Sequence, residues 1–333
     1  MLLINIYFII YMYHFLPIPN YSHGDILKWK KTNIHSLHIR IQNNKPTFTS
    51  LCTNFKDRIE IMKKMIQDTL LLYNINDVEI IINVTDKPNT NLFMLHFSRT
   101  TNCNINVVPF FSFYKWGDAQ SNDFYETKNK IIKNSREWAL KEDKIMWSGS
   151  NTSKIRRKMN QLKDNTNYKY NLILDKINKK FIKLEDHTNY KYILDMEGIG
   201  YSGRVPYLLL TGSCVIILEN VDNDYKYHFD SHFQEDVHYL KIRYNDNDCV
   251  NTINDLILNK IKSSNCEEIA QKCQRVAIDV FTKDNILLYF KELLDYYSSY
   301  YHNITEELNN SIPYQLIHYT TKKKLLIMNK FCK

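Results

Sequence analysis

Four of the chain's seven glycines, Gly198, Gly200, Gly203 and Gly212, fall within fifteen residues. Glycine is required where φ must be positive or where a ligand or another backbone comes close, so such a cluster in a glycine-poor chain reads as a ligand turn. The string Gly198-Ile199-Gly200-Tyr201-Ser202-Gly203-Arg204 follows an apolar run and precedes a short helical stretch. Backbone N–H groups that open a helix hold anions, and Arg204 adds a planar, permanent charge beside them. The chemistry expected of Gly198, Gly200, Ser202, Gly203 and Arg204 is therefore the binding of a phosphate. The same spacing fits G-x-G-x-x-G, with Glu219 at the end of the next strand where a ribose carboxylate would stand. A dinucleotide-dependent oxidoreductase is thus the alternative reading, against which stand the short helix and its Pro206. A kinase loop also fits through Val205, but no H-R-D or D-F-G string accompanies it.

A second phosphate candidate runs from Trp147 to Lys158, where Ser148, Ser150, Thr152 and Ser153 surround Gly149 and Lys154, Arg156, Arg157 and Lys158 follow. Hydroxyls around a glycine before a basic helix start make either an anion turn or a solvated one. Asp86 follows a β-branched run, the place where α/β folds present ligand-contacting residues, and Pro88 restricts its loop. As a general base it would take a proton from an attacking hydroxyl, with His96, His187 and Asp118 as the next candidates. Asp222-Asn223-Asp224 has the form of a cation-holding D-x-D, but arginines beside a helix start neutralise a diphosphate without metal, so no metal is expected. Asn83-Val84-Thr85 and Asn151-Thr152-Ser153 are N-glycosylation acceptors in form, and a glycan at either would obstruct the site.

These residues need elements to carry them. Apolar spacing over residues 57–73 predicts a surface helix, and residues 78–84 and 107–113 read as strands. Residues 123–141 have helical spacing and lead into a strand at 145–147. In the second half, strands at 168–175, 190–196 and 214–218 flank a short helix at 205–210, a βαβ pattern. Residues 253–261 and 266–297 read as helices. The fold class is α/β, without a repeat of fixed period.

Composition narrows the class. The 333 residues are 44% hydrophobic and 24% charged, with a mean hydropathy of −0.43, as in a globular chain rather than a disordered or multi-span one. The net charge of +8 favours anionic partners. With 24 tyrosines it also leaves a nucleic-acid binder as a third reading, whose sign would be a steep salt dependence. Seven scattered cysteines without a Cys-x-x-Cys exclude a zinc ribbon. Residues 1–24 open with an apolar run that reads as a signal, an anchor in contact with a membrane, or a core strand.

Taken in order, several of these segments resemble glycosyltransferase family 90, the group of protein O-glucosyltransferases, the fungal capsule xylosyltransferase and bacterial lipopolysaccharide-modifying enzymes. The similar pieces are residues 83–88, 109–113, 147–156, 191–204 and 208–213, then His238-Tyr239 before Asp246 and Asp248. The resemblance implies a GT-B fold, two Rossmann-like domains facing a cleft. Residues 25–143 would form the acceptor side, 144–290 the nucleotide-sugar side, and 291–333 a helical region that packs back on the first domain. It implies an inverting transfer of a hexose or pentose, glucose or xylose, from a UDP-sugar to a hydroxyl of a protein or glycan, with no nucleic acid involved. The family's catalytic carboxylate falls on Asp86, its diphosphate loop on Ser150, Thr152, Ser153 and Arg156, its second donor arginine on Arg204 and, more loosely, a donor-contacting carboxylate on Asp186. Asn151 and Gly203 depart from the animal branch, which has an arginine and an aromatic there, so that branch's sugar specificity is not carried over. The family suggests the ER or Golgi, with the cytoplasm as the alternative.

Overall fold

The computed structural model describes residues 15–16, 35–50, 52, 54–87, 94–103, 105–163, 170–174 and 182–311. Strands β1 (Ser36–Gln42) and β2 (Lys45–Thr49) form a hairpin through Asn43 and Asn44, whose φ of 49° and 58° are the left-handed values that a two-residue hairpin turn requires. Helix α1 (Lys56–Leu72) follows, then β3 (Val78–Asn83) and β4 (Met94–Leu95). The sheet order is β2-β1-β3-β4, with β1 antiparallel to both neighbours and β3 parallel to β4. Leu37, Ile39 and Ile41 alternate into the core, and α1 buries Ile59, Met62, Met65 and Ile66. Helix α2 (Phe124–Lys133) starts at Asp123, whose side chain accepts the Glu126 N–H at 2.8 Å.

The second sheet contains β5 (Glu142–Gly149), β6 (Tyr170–Leu174), β7 (Tyr190–Met196), β8 (Cys214–Asn220) and β9 (Leu240–Tyr244). All its pairs are parallel, in the order β6-β5-β7-β8-β9. Burial on both faces explains why β8 reads as the unbroken apolar run Cys-Val-Ile-Ile-Leu. Short helices α3 (Lys154–Met159) and α4 (Val205–Leu208) follow β5 and β7, and α5 (Val250–Lys262), α6 (Cys266–Val280) and α7 (Lys283–Ser311) end the described chain. Helix α7 returns to pack against β3 and α1. Because β6 and β7 lie on opposite sides of β5, the strand order reverses at β5. Open α/β sheets form their ligand crevice at such a point, beyond the carboxyl ends of the strands. Here those ends carry the loops after Gly149 and after Met196, the two glycine segments picked out above.

Several expectations are corrected. Residues 107–113 are not a strand: Val107 makes a lone bridge to His96, and Phe111–Phe113 close a 3-10 turn. The aromatic run there is apolar because Phe110, Phe111 and Phe113 are core side chains. The helical spacing over 123–141 ends at Lys133, and the single helix expected over 266–297 breaks between Val280 and Lys283. Pro88 and all of residues 1–24 except Phe15 and Leu16 lie outside the described residues. Leu16 exchanges hydrogen bonds with the Asn106 side chain at 2.7 and 2.9 Å, and Phe15 packs on Tyr289 and Tyr296. Among the described residues, no helix is long and apolar enough to cross a membrane.

Candidate active site

Asp86 lies three residues beyond β3, in a loop tied down from several sides. The buried Asn83 side chain accepts the Thr85 N–H at 2.9 Å, which turns the chain as it leaves the strand. The buried His96 ring donates from Nε2 to the Thr85 carbonyl at 2.9 Å, and burial lowers its pKa to about 4, so it is a neutral strut. Arg58, in the first turn of α1, donates one nitrogen to the Val84 carbonyl at 2.8 Å and another to Asp86 Oδ1 at 2.7 Å. Its guanidinium sits 4.7 Å from the centre of the Phe55 ring and 4.6 Å from that of Phe111. These contacts fix both the loop and the rotamer of Asp86 and engage one carboxylate oxygen.

Two arginines stand across from this loop. Arg156 donates to the Ser150 carbonyl at 3.0 Å, the Thr152 hydroxyl at 2.8 Å and the Met196 carbonyl at 2.8 Å, which joins the end of β7 to the loop after β5. Arg204 donates to the Ser148 carbonyl and lies 3.4 Å from Asp195 Oδ1, which also accepts the Ser202 hydroxyl at 2.6 Å. The two guanidinium carbons are 5.3 and 5.5 Å from the Trp147 ring, one indole serving both cations. Burial, and then the charge of Arg204, lower the Arg156 pKa to about 9, and burial lowers that of Arg204. At neutral pH both stay charged. Asp195 forms an ion pair with Arg204, whereas the Arg156 side chain donates to two carbonyls and a hydroxyl, so the cluster is built to accept an anion.

Both halves meet in a cavity of about 240 Å³. Its walls include Arg58 and Asp86 from the first half and Ser150, Thr152, Arg156, Gly198, Gly200, Ser202, Gly203 and Arg204 from the second. Gly200 explains how they come together. A methyl group there would overlap the Asp86 carbonyl and stand 2.6 Å from its carbon, so only glycine lets the turn reach the loop. Gly203 has another role: a side chain there would meet the Trp116 ring at 3.6 Å, an ordinary contact, and its absence leaves the indole at the wall.

The remaining site residues fall as follows. Ser153 and Asp186 do not line the cavity; the Ser153 hydroxyl is bonded to the Glu197 carbonyl at 2.9 Å, and Asp186 sits in the 3-10 turn Leu184–Asn189. Asp118 and His187 line it, and His96 lies behind it. Helix α4 is only four residues long, so the charge opposite an anion comes from arginines and not from a helix dipole. Of the basic run after Gly149, Arg156 alone faces the cavity, while Lys158 is spent on the Asp246 and Asp248 carbonyls at 2.9 and 2.5 Å. Glu219 is the penultimate residue of β8, but it is buried against Lys241 at 2.5 Å and accepts the Tyr225 N–H, away from the cavity, so it is not placed to receive a ribose. Asp224 of the D-x-D is held by Lys226 and Lys241 at 3.1 and 2.8 Å, and these lysines lower its pKa against the opposing effect of burial. Arg58, Asp195, Trp116 and Gln120 were not legible as site residues. An ion pair across 28 positions and a wall made by an irregular loop leave no spacing motif.

The protein-family profile described as Glycosyl transferase family 90 matches residues 24–312. No curated protein matches in sequence. Among solved structures, sucrose-phosphate synthase from Thermosynechococcus elongatus superposes with a TM-score of 0.32 at 10% identity, covering 70% of this chain and 61% of that one. TarM superposes with a TM-score of 0.29 at 16% identity, covering 78% of this chain and 49% of that one. The chain therefore spans less than two thirds of the length of either.

Proposed function

The chain belongs to glycosyl transferase family 90, and on that premise we propose that it is an inverting transferase that moves glucose or xylose from a UDP-sugar to a hydroxyl of a glycan or protein. The acceptor oxygen attacks the anomeric carbon from the face opposite the diphosphate. The carbon–oxygen bond to the diphosphate breaks, its electron pair leaves with UDP, and the hydroxyl proton passes to the free oxygen of Asp86. Arg58 holds the other oxygen, so the base keeps one orientation. Arg156 and Arg204 receive the diphosphate and the charge that grows on it, and the burial of both guanidinium groups strengthens that interaction. A metal is not part of this scheme, since two arginines supply the charge and Asp224 is engaged by lysines. In this reading the two sheets are the Rossmann-like halves of a GT-B arrangement, the first modified by the antiparallel β1–β2 hairpin.

The observation that carries the proposal is the contact of the Gly200 turn with the Asp86 loop, which puts one carboxylate and two buried arginines on the walls of one cavity. The occupied Glu219 weighs against a dinucleotide enzyme. For location, the family suggests the secretory pathway, with the cytoplasm as the alternative, and the burial of Asn83 predicts that the folded chain carries no glycan there. Asp86→Asn is the test. It should bind UDP as the wild type does and transfer sugar ~100- to 10,000-fold more slowly, the scale of a lost general base. An Asp86→Asn protein with normal turnover would exclude the assignment.

A further inference from the structure

A second groove, of about 390 Å³, opens beside the cavity and shares Arg58, Phe111, Trp116 and Asp118 with it. It runs between the start of α1 and the turn after Trp116, where Lys115 and Gly117 form the far wall. Resting on the proposed transferase function, we infer that this groove is the acceptor subsite and that the acceptor it takes is a saccharide.

Continuity gives the first argument. An occupant of the groove reaches the cavity past Arg58, the residue that holds Asp86, so a hydroxyl at its inner end arrives beside the base. The lining gives the second. Trp116 is half-buried and braced, with Phe111 edge-on at 6.4 Å and Tyr207 at 6.2 Å, while its backbone is clamped to Ser121 by hydrogen bonds of 2.7 and 3.1 Å. That makes a fixed aromatic platform at the junction of the two spaces. Around it stand carboxylates, Asp57 and Asp118, and ammonium groups, Lys56 and Lys115. A flat aromatic face ringed by separate donors and acceptors suits a ring with an apolar side and several hydroxyls. A polypeptide acceptor is less well served. Among the described residues, the groove is walled by a helix start and a turn, with no strand edge on which an extended peptide could pair.

Gly117 provides the clean perturbation. It lines the groove and not the cavity, and a Cβ there would meet nothing within 4 Å, so a large side chain can enter the groove without displacing the fold. The experiment is saturation-transfer NMR on the full chain with a panel of methyl pyranosides of glucose, galactose, mannose and xylose, beside a Ser/Thr-containing peptide. UDP is titrated into the same samples. We expect at least one methyl glycoside to receive saturation from the wild type and to lose it, or to bind at least 10-fold more weakly, in Gly117→Trp and Trp116→Ala. UDP should titrate equally into wild type and Gly117→Trp. Binding of the peptide alone, silence across the whole panel, or a glycoside signal that survives Gly117→Trp would each overturn the inference. Failure of UDP to bind the wild type would instead strike the transferase reading, and it is read from the UDP titration rather than from the glycoside signals.

Discussion

Replacing Gly200 by alanine tests whether the two halves of the site touch as described. The added methyl would lie 2.6 Å from the Asp86 carbonyl carbon, where ordinary contact begins near 3.4 Å, so the turn and the loop must separate by roughly 0.8 Å, and by more at the carbonyl oxygen. Neither side yields easily. The loop is held by Arg58 and His96, and the turn by the bond from the Gly198 N–H to the Gly200 carbonyl at 2.9 Å. Overpacking of this kind costs ~1–3 kcal/mol, to be read as a lower urea midpoint with an unchanged slope. Displacing a catalytic group by about 1 Å costs roughly 100-fold in rate. Turnover should therefore fall by ~10- to 100-fold, while UDP affinity, which depends on Arg156 and Arg204, changes much less. A Gly200→Ala protein with the wild-type urea midpoint and wild-type turnover would refute the packing and with it the reason for glycine here.

Three further outcomes follow from the same geometry. Arg58→Ala frees the Asp86 carboxylate to rotate, and we expect ~10- to 100-fold slower transfer, with a stability loss of only ~1 kcal/mol because the pair is part exposed; equal loss in Arg58→Ala and in a distant surface arginine variant would deny it a positioning role. Asp195→Asn removes the charge that aligns Arg204 and should weaken UDP binding by ~10-fold or more, readable by calorimetry. Arg156→Ala should weaken UDP binding by ~10-fold or more, because it removes one of the two buried cations that face the cavity. Unchanged UDP affinity in Arg156→Ala would remove Arg156 from the site.

Much of the second sheet was readable from the sequence because parallel strands buried on both faces leave continuous apolar runs, as at β8. The glycine turn was equally visible, since glycine is scarce in this chain. Strand β1 was overlooked although Leu37, Ile39 and Ile41 alternate correctly. Its hairpin turns on Asn43-Asn44 and not on the Asn-Gly that marks such turns. The aromatic run before Trp116 misled for the opposite reason: apolar residues packed in a 3-10 turn look like a strand when only their hydrophobicity is read. Asp86 and Arg204 could be named from segment order, whereas the residues that orient them, Arg58 and Asp195, reveal themselves only when distant elements are brought together.

The most direct measurement of the central claim is isothermal titration of UDP, in the presence of EDTA, into the wild type and Arg204→Ala, with NAD as the control ligand. We predict that UDP binds the wild type without added metal, that NAD does not, and that Arg204→Ala loses at least 10-fold in UDP affinity while keeping the wild-type circular dichroism spectrum. Equal UDP affinity in the two proteins, or binding of NAD in place of UDP, would contradict the account.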